Sequence, residues 1–293
     1  MSKSILVTGA NGQLGSELYQ LSAFENSLTF TFVTRKELDF SDPLSIEAWF
    51  VGKHFDAIIN CAAYTAVDKA ESEPELANVI NATAVATLAN VAKKNHSALI
   101  HISTDYVFNG KNFKPYVESD PVQPQSVYGQ TKLEGEQAVL AVGAPKTLII
   151  RTSWVYSQFG NNFVKTMLRL GKERAELGVI YDQVGTPTSA RDLALAILLI
   201  IKHPALEALK EPEIYHFSNE GVCSWYDFAK AIFEYSGINC HIKPIETKDY
   251  PTPATRPHYS LLNKAKIKQR FDLTIPYWKD SLKDCLDHLN GNK

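Results

Sequence analysis

A tyrosine and a lysine four positions apart have the clearest chemical potential in this chain. Tyr128 and Lys132 are the first and last residues of the segment Tyr-Gly-Gln-Thr-Lys, which lies in a helical pattern. Residues four apart share one helix face, so the phenol and the ammonium can converge on one ligand. A phenol titrates near pH ~10, and a neighbouring cation favours its ionised form. The pair predicts a general acid for carbonyl reduction, and the alternative is a surface pair, because a single Tyr-x-x-x-Lys is common.

A hydroxyl-rich run precedes this pair in the chain. Ser103, Thr104 and Asp105 follow an apolar segment that fits a buried strand. Ligands of doubly wound sheets bind beyond the carboxyl ends of the strands, so a hydroxyl there can donate to a substrate carbonyl oxygen. The alternative is a turn-forming polar cluster. We predict that a hydroxyl of this run acts together with Tyr128 and Lys132.

Three glycines lie between the first predicted strand and the first predicted helix. Gly9, Gly12 and Gly15 form a G-x-x-G-x-x-G pattern. Glycine permits positive φ and a close approach of the backbone to a pyrophosphate, and the N-terminus of the next helix attracts that anion. The alternative is a tight turn without a ligand. We predict a dinucleotide site here, because the pattern has the required strand-to-helix context.

The residues after the second and third predicted strands bear on the choice of cofactor. Arg35 follows strand two, where a cation accommodates the 2′-phosphate of NADP and an acidic residue would bind the ribose of NAD. This favours NADPH without excluding NADH, and the alternative is a solvated arginine. Asp39 could hydrogen-bond near the adenine edge, with Phe40 packed on it. Ala62 and Ala63 leave room for a dinucleotide to cross the sheet edge.

The first half of the sequence alternates apolar strands with helical stretches. Such continuous apolar strands predict a parallel sheet that is covered on both faces. The predicted strands are Ile5–Thr8, Thr29–Thr34, Ala57–Cys61, Ala98–Ser103 and Thr147–Arg151. The predicted helices are Gln13–Ser22, Pro43–Val51, Pro74–Lys94 and Val127–Val142.

The regular alternation stops after Arg151, which predicts a second unit. We expect an α/β, Rossmann-like, doubly wound parallel sheet with a smaller α/β C-terminal substrate lobe. The dinucleotide-binding domain would comprise 1–155 and a return segment near 180–218, and the substrate-binding lobe about 156–180 and 219–293. The predicted elements of this half are helices at Phe163–Leu177, Ala190–Lys202 and Trp225–Tyr235, a strand at Ile214–Phe217, a Pro-rich loop at Pro244–Pro257 and a terminal helical stretch.

Composition and charge exclude several classes of protein. The net charge of −2 gives no electrostatic reason to bind nucleic acid or an acidic membrane. Four scattered cysteines lack zinc spacing and predict free thiols. The longest apolar run, Leu193–Ile201, is too short to span a bilayer, and the N-terminus leads into a strand instead of a signal-peptide core. We expect a cytoplasmic protein.

Longer motifs make the chain similar to a known family. It resembles the extended short-chain dehydrogenase/reductases and, within them, the dTDP-4-dehydrorhamnose reductase family, over nearly its whole length. The Ala-Val-Asp-Lys-Ala-Glu and Ser-Thr-Asp-Tyr-Val-Phe runs are specific to this branch, whereas the glycine turn is shared more widely. The matching segments are Val7–Gly15, Ala62–Glu71, Ser103–Phe108, Tyr128–Lys132, Arg151–Tyr156, Asn161–Phe163, Asp182-Gln183, Pro187-Thr188, Tyr250–Ala254 and Arg256-Pro257.

The resemblance implies an activity and a set of roles. The activity is NAD(P)H-dependent reduction of the 4-keto group of dTDP-6-deoxy-L-lyxo-4-hexulose to dTDP-L-rhamnose. Tyr128 would be the acid, Lys132 would tune it and hold the nicotinamide ribose, and Thr104 would polarise the carbonyl. Asn81 matches an asparagine that supports the proton path, and a purely structural Asn is the alternative. The family's sugar and base contacts match Val67, Asp105 and Trp154, with a core role as the alternative for Trp154. Its cofactor contacts match Gly12, Gln13, Leu14, Asp39, Phe40, Ala63, Tyr64 and Thr65.

One departure from the family concerns a metal. Some relatives form homodimers around Mg²⁺ held by several Glu side chains. Glu17 matches one of them, but Arg191 and His288 stand at the positions aligned with the others. A hard cation prefers carboxylates, and an arginine repels it. We therefore expect no metal ligands here, and the metal-bridged dimer is the less favoured arrangement.

Other functions remain open at this point. One is a catalytically silent, NADP-binding regulatory subunit of the methionine adenosyltransferase type, which uses the same fold; the intact Thr104, Tyr128 and Lys132 argue against it. Another is a reductase of a different nucleotide-linked 4-keto-6-deoxysugar. A nucleotide-sugar dehydratase or epimerase is disfavoured, because dehydratases commonly carry Thr-Asp-Glu where this chain has Tyr106 after Asp105.

Overall fold

Strands and helices alternate through the first half of the chain, as the apolar pattern predicts. The computed structural model describes residues 2–291. No bound of a predicted strand in this half differs from the observed one by more than two residues. The elements are β1 (Lys3–Thr8), α1 (Gln13–Ser22), β2 (Leu28–Val33), α2 (Pro43–Phe50), β3 (Ala57–Asn60), α3 (Val67–Ala70), α4 (Pro74–Asn78), a π-helical turn (Val79–Thr83), α5 (Ala84–Lys94), β4 (Ala98–Thr104), a 3₁₀ turn (Asp105–Val107), α6 (Val127–Val142) and β5 (Thr147–Thr152).

The second half contains shorter strands and more irregular connections. Its helices α8 and α10 begin at the predicted residues, and the terminal helical stretch consists of two helices. The elements are β6 (Val155–Tyr156), α7 (Phe163–Glu173), β7 (Glu176–Ile180), β8 (Val184–Gly185), β9 (Thr188–Ser189), α8 (Ala190–Lys202), α9 (Pro204–Glu207), β10 (Glu213–His216), β11 (Cys223–Ser224), α10 (Trp225–Ser236), β12 (His241–Ile245), a 3₁₀ turn (Thr247–Asp249), α11 (Ala265–Phe271) and α12 (Trp278–Leu289).

The predicted helix Phe163–Leu177 is wrong in its last turn. The helix ends at Glu173, and Leu177 belongs to β7, which pairs in parallel with β12. Pro244, predicted to lie in a loop, occupies β12 opposite Val179. Proline is tolerated in this strand because β12 has β7 as its single partner, so one edge needs no ladder hydrogen bonds.

The central sheet has six parallel strands in the order β10-β5-β4-β3-β1-β2. Its register brings the carboxyl ends of the strands to one edge. Thr8 pairs with Asn60, and Thr104 pairs with Thr152. The order reverses direction beside β1, and the glycine turn after β1 and the hydroxyl run after β4 lie at the same edge of the sheet.

Two apolar layers bury the sheet, and a third core fills the C-terminal lobe. Alternate residues of β1 point to opposite faces, so Ile5 joins the core under α1 and α8 while Leu6 joins the core under α2 and α5. The third core surrounds Phe228 and Trp278.

The longest apolar run of the sequence lies in a helix that buries one face and exposes Leu195 and Leu199. Residues 193–201 belong to α8, which has 13 residues and packs against α1. A helical span needs about 20 residues. Within residues 2–291, no helix combines the length and apolarity that crossing a membrane requires.

Candidate active site

The glycine turn after β1 has the geometry of an anion cradle. Gly9 has φ +63°, and a Cβ there would lie 2.8 Å from the Ala62 nitrogen. A Cβ on Gly15 would lie 2.4 Å from the Gly9 carbonyl oxygen. No side chain caps the N-terminus of α1 at Gly12, so the first N–H groups of this helix, which include those of Gln13 and Leu14, are open to a ligand. These residues fit the pyrophosphate of a dinucleotide.

A cavity of about 270 Å³ adjoins the glycine turn. It brings together most of the cofactor residues predicted from the sequence. Its lining includes Gly9, Arg35, Asp39, Phe40, Ala62, Ala63, Tyr64 and Thr65.

Arg35 is fixed at the mouth of this cavity. Its Nε lies 3.2 Å from Asp39 Oδ1, and its Nη2 donates to Ser41 Oγ at 3.2 Å. Partial burial opposes ionisation of Asp39, but hydrogen bonds from Ser41 and Arg35 outweigh it and lower the pKa of that carboxyl. Asp39 therefore pairs with Arg35, whose exposed cation lies beside the cavity.

Asn81 anchors residues 61–66, here called the cofactor loop, which run from the end of β3 along the cavity to α3. It is fully buried in the π-helical turn, where its Oδ1 accepts the Tyr64 N–H at 2.9 Å. Its Nδ2 donates to the Tyr64 carbonyl and to Thr131 Oγ1. These bonds attach the loop to α6. The Asn81 side chain bonds neither Tyr128 nor Lys132, so its contacts match the structural alternative.

The three predicted catalytic side chains converge where α6 meets the end of β4. Ser126 caps α6 by accepting the Gly129 N–H at 3.2 Å, which starts the helix at the correct residue. The Tyr128 hydroxyl faces Thr104, and the Lys132 Nζ donates to the Ile102 carbonyl at 2.6 Å. The predicted order of hydroxyl, phenol and ammonium is thus found in one cluster.

Burial shifts the pKa values of the phenol and the ammonium in opposite directions. It raises the pKa of Tyr128 to about 12, with Asp105 acting in the same sense and Thr104 against it. It lowers the pKa of Lys132 to about 8, and Glu136 opposes this change. The prediction that a nearby cation lowers the Tyr128 pKa is wrong in this structure, because desolvation of the phenol dominates.

Asp105 is a buried carboxylate beside the catalytic cluster. It is 1% exposed, and its Oδ1 accepts from Thr104 Oγ1 at 3.0 Å. Ser260 faces it without completing a hydrogen bond to Oδ2. Burial raises the pKa of Asp105 to about 6, against the hydrogen bond from Thr104 and the nearby Ser260 hydroxyl. An unsatisfied buried oxygen at this place suits a hydroxyl donor of a substrate.

Asp105→Asn is expected to stabilise the folded protein at pH 7.5. The folded pKa lies above that of an unfolded aspartate, so the folded state binds the proton more tightly between pH ~4 and the folded value. Stability therefore falls as pH rises from ~4 to about 6, and the neutral amide avoids a cost of roughly 3 kcal/mol. Thermal melts at pH 7.5 and pH 4 measure this gain, which should disappear at the lower pH. An equal gain at both pH values would contradict the assignment of the charge to Asp105.

Trp154 forms part of an aromatic wall at the end of β5. It has φ +49°, which is rare for a residue with a side chain and occurs at functional sites. Its ring stacks on Trp225 at 3.7 Å between centroids, and a Cβ on Gly185 would lie 3.0 Å from it. The sequence did not indicate Trp225, because the partner of a stacked ring lies far away in the chain.

A second cavity, of about 650 Å³, lies in the C-terminal lobe. Trp225, Tyr250, Arg174 and Arg256 contribute to its lining. Arg256 also forms a two-pronged ion pair with Asp68, the residue after Val67, at 2.7 Å. The pair ties the lobe to the short helix that follows the cofactor loop. Tyr128 lines neither of the two cavities.

The Glu17 region is not a carboxylate cluster. Glu17 is 2% exposed and accepts a hydrogen bond from Ser157. Burial raises its pKa, against Ser157 and the charges of Arg191 and His288. Over residues 2–291, no group of three or more His, Cys, Asp or Glu side chains is arranged to hold a metal ion.

Comparison with known proteins identifies a family and several relatives that match nearly the whole chain. A family model described as RmlD substrate binding domain matches residues 3–290. The chain is 44% identical to dTDP-4-dehydrorhamnose reductase of Salmonella typhimurium, with 98% of each chain covered. It is 40% identical to the spore coat polysaccharide biosynthesis protein SpsK of Bacillus subtilis, with 96% of each covered.

Two solved structures have the same fold over almost the whole length. A dTDP-4-dehydrorhamnose reductase from Clostridium acetobutylicum matches with a TM-score of 0.92 and 43% identity, covering 98% of this chain and 99% of that one. The Bacillus anthracis enzyme of the same name, in complex with NADP, matches with a TM-score of 0.91 and 38% identity, covering 98% and 100%. The chain therefore belongs to the RmlD substrate binding domain family, whose relatives above include dTDP-4-dehydrorhamnose reductases.

Proposed function

We propose that this protein catalyses the NAD(P)H-dependent reduction of the 4-keto group of dTDP-6-deoxy-L-lyxo-4-hexulose to dTDP-L-rhamnose. The observation that carries the proposal is the cluster of Thr104, Tyr128 and Lys132 at the carboxyl edge of the sheet, on the same edge as the glycine turn. Relatives that cover nearly the whole chain are named for this reaction.

The residues of the cluster divide the proton chemistry among them. When bound, the reduced nicotinamide supplies a hydride to the carbonyl carbon. The Thr104 hydroxyl, which donates to Asp105 in this structure, would turn to the carbonyl oxygen and stabilise the negative charge that develops there. Tyr128 then gives its proton to that oxygen, which leaves a phenolate and completes the alcohol. The phenol is protonated at pH 7 because burial raises its pKa to about 12.

Lys132 stabilises the phenolate that remains. Its ammonium is mostly charged at pH 7, since its pKa is lowered only to about 8. A cation one helical turn from Tyr128 favours the ionised phenol after the proton has left. Lys132 would also hold the nicotinamide ribose, and the cradle at Gly9, Gly12 and Gly15 would hold the pyrophosphate.

The C-terminal lobe, about 156–180 and 219–293, supplies the groups that bind the nucleotide. Arg174 and Arg256 bring positive charge to the 650 Å³ cavity, which suits a diphosphate. Trp225 and Tyr250 give aromatic surface for a base. Val67, Asp105 and Trp154 would contact the sugar, and the ion pair of Asp68 with Arg256 brings the two sides together.

NADPH is the proposed preferred cofactor, with NADH accepted. Arg35→Ala is expected to raise the NADPH dissociation constant about tenfold and the NADH constant little, because a single exposed charge contact with the 2′-phosphate is lost. Titration of the reduced-nicotinamide fluorescence measures both constants. Lys36→Ala removes the adjacent exposed cation and serves as the matched control. Equal losses for the two cofactors would mean that Arg35 never meets the 2′-phosphate.

Location and assembly follow from the same observations. We propose a cytoplasmic site of action, which agrees with four cysteines that form no disulfide. We also propose that a homodimer of this chain would not be bridged by Mg²⁺ at Glu17, because the positive charge of Arg191 acts on that carboxylate.

One assay tests the proposed function. The purified protein is given the dTDP-4-keto-6-deoxy-L-hexulose with NADPH or NADH, and absorbance is followed at the reduced-nicotinamide band. We expect substrate-dependent loss of absorbance, with dTDP-L-rhamnose identified by NMR. Binding of NADPH without turnover would instead support the silent regulatory subunit. Turnover of a different 4-keto-6-deoxysugar alone would move the assignment to that substrate.

A further inference from the structure

Three polar side chains of α6 end on three consecutive residues of β4. Tyr128, Lys132 and Glu136 are spaced four apart and therefore follow one another along one helix face. The Tyr128 hydroxyl faces Thr104, Lys132 donates to the Ile102 carbonyl, and Glu136 accepts a hydrogen bond from Ser103. The proposed reaction uses the first two of these contacts and leaves the third without a role.

Glu136 is held more tightly than either of its neighbours. It is 1% exposed, and Arg151 of β5 grips both of its oxygens, with Nε–Oε1 at 2.9 Å and Nη2–Oε2 at 2.7 Å. The Arg151 guanidinium lies over the Phe108 ring at 5.1 Å. A two-pronged contact with a buried arginine orients a carboxylate and pairs its charge.

We propose that Glu136 is a positioning residue for the reduction. Fixed by Arg151 and Ser103, its carboxylate holds α6 in register with the end of β4 and places a negative charge one helical turn from Lys132. The inference rests on the proposed function, since that function assigns the catalytic roles to Thr104, Tyr128 and Lys132.

The surroundings of Lys132 explain why a counter-charge is needed. The residue is 2% exposed, and its hydrogen bond goes to a neutral carbonyl. His101 of β4 faces it and stays neutral, because burial and the ammonium lower the pKa of this imidazole. Glu136, on the same helix, is the charge that opposes the loss of the Lys132 proton. On the far side, Asn60 Nδ2 donates to His101 Nδ1 at 3.0 Å.

Glu136→Gln tests the charge while keeping the shape of the side chain. The Lys132 ε-carbon signal is followed by NMR against pH in ¹³C-lysine-labelled protein and assigned with Lys132→Arg. We expect a midpoint about one pH unit or more below that of the unmodified protein, because the opposite charge beside a buried ammonium is lost. The basic limb of the kcat profile should move down with it, while KM for the nucleotide sugar stays unchanged.

Glu134→Gln is the matched control, since it makes the same change on the same helix outside the cluster. Its Lys132 titration should equal that of the unmodified protein. An unmoved Lys132 midpoint in Glu136→Gln, in a protein that folds, overturns the proposal. The titration needs no substrate, so its outcome is independent of the assay for the proposed function. An unmodified protein without reductase activity would contradict the proposed function and leave the Lys132 titration as a separate result.

Ser103→Ala provides a second test. This variant keeps the buried Glu136 carboxylate, so it does not have to fold without that charge. It removes the bond between β4 and Glu136 but leaves the ion pair with Arg151. We expect kcat to fall about tenfold, because a small displacement of α6 separates Tyr128 from Thr104. The Lys132 midpoint and the KM for the sugar should stay where they are. Unchanged kcat overturns the role of Glu136 in setting the register.

Discussion

Tyr128→Phe is expected to lower kcat about a thousandfold, because the change removes the proton donor and keeps the ring. The phenyl ring can still pack edge-to-face on Tyr106, whose centroid lies 5.4 Å away. The glycine cradle and Arg35 are untouched, so the dissociation constant of NADPH should change little. Single-turnover kinetics with the 4-keto sugar, together with a fluorescence titration of NADPH, separate the two effects.

Tyr106→Phe is the control for this substitution. It removes a hydroxyl from the neighbouring ring of the same aromatic pair, whose phenol pKa burial also raises. We expect its kcat to remain within about threefold of the unmodified protein, because position alone distinguishes the two phenols. If Tyr128→Phe kept more than a tenth of kcat, or if both variants lost activity alike, Tyr128 would not be the donor.

The sheet and its cofactor side could be predicted because their signals are local. Each strand of the sheet in the first half is a short apolar run, and Gly9 and Gly15 stand at positions that a side chain would fill with backbone clashes. The N-cap at Ser126 and the helix that it starts can also be recognised from neighbouring residues. In such segments local preference and the final fold agree, so sequence reasoning succeeds.

Long-range contacts set the limit of that prediction. Leu177 was assigned to a helix, but pairing of β7 with β12, some sixty residues later, makes it a strand residue. The pattern over 74–94 predicts one helix, yet the π-helical turn within it places Asn81 under Tyr64. Neither outcome is visible in a window of neighbouring residues, because the deciding partner lies elsewhere in the chain.

The pKa shifts of the site residues also could not be predicted from the sequence. A Tyr-x-x-x-Lys spacing suggests that the cation lowers the pKa of the phenol, but burial of both groups reverses the sign. Glu136 opposes the effect of burial on the Lys132 pKa. The sequence alone does not reveal this residue, because its partner Arg151 lies on another element. Spacing thus predicts which groups meet, whereas the depth of burial decides their protonation.

Gly15→Ala is expected to weaken NADPH binding about a hundredfold, which corresponds to about 2.7 kcal/mol. The added Cβ would meet the Gly9 carbonyl oxygen at 2.4 Å and the Ala10 Cα at 2.7 Å. Both are backbone atoms, so the turn itself must open, and the N–H groups at the start of α1 lose their convergence on the pyrophosphate. The helix can accept alanine at this position, because the φ of Gly15 is not positive. Fluorescence titration with NADPH measures the loss.

Gly237→Ala separates that effect from a general loss of stability. This glycine ends α10 with φ +63°, and an added Cβ would meet nothing within 4 Å. Alanine there costs about 1 kcal/mol of backbone strain, which lowers the melting temperature by a few degrees. Because the strain lies in the C-terminal lobe, away from the turn after β1, NADPH affinity should stay at its original value. If both variants lost the same affinity, the glycine turn would have no special part in holding the dinucleotide, and the cofactor assignment would fall with it.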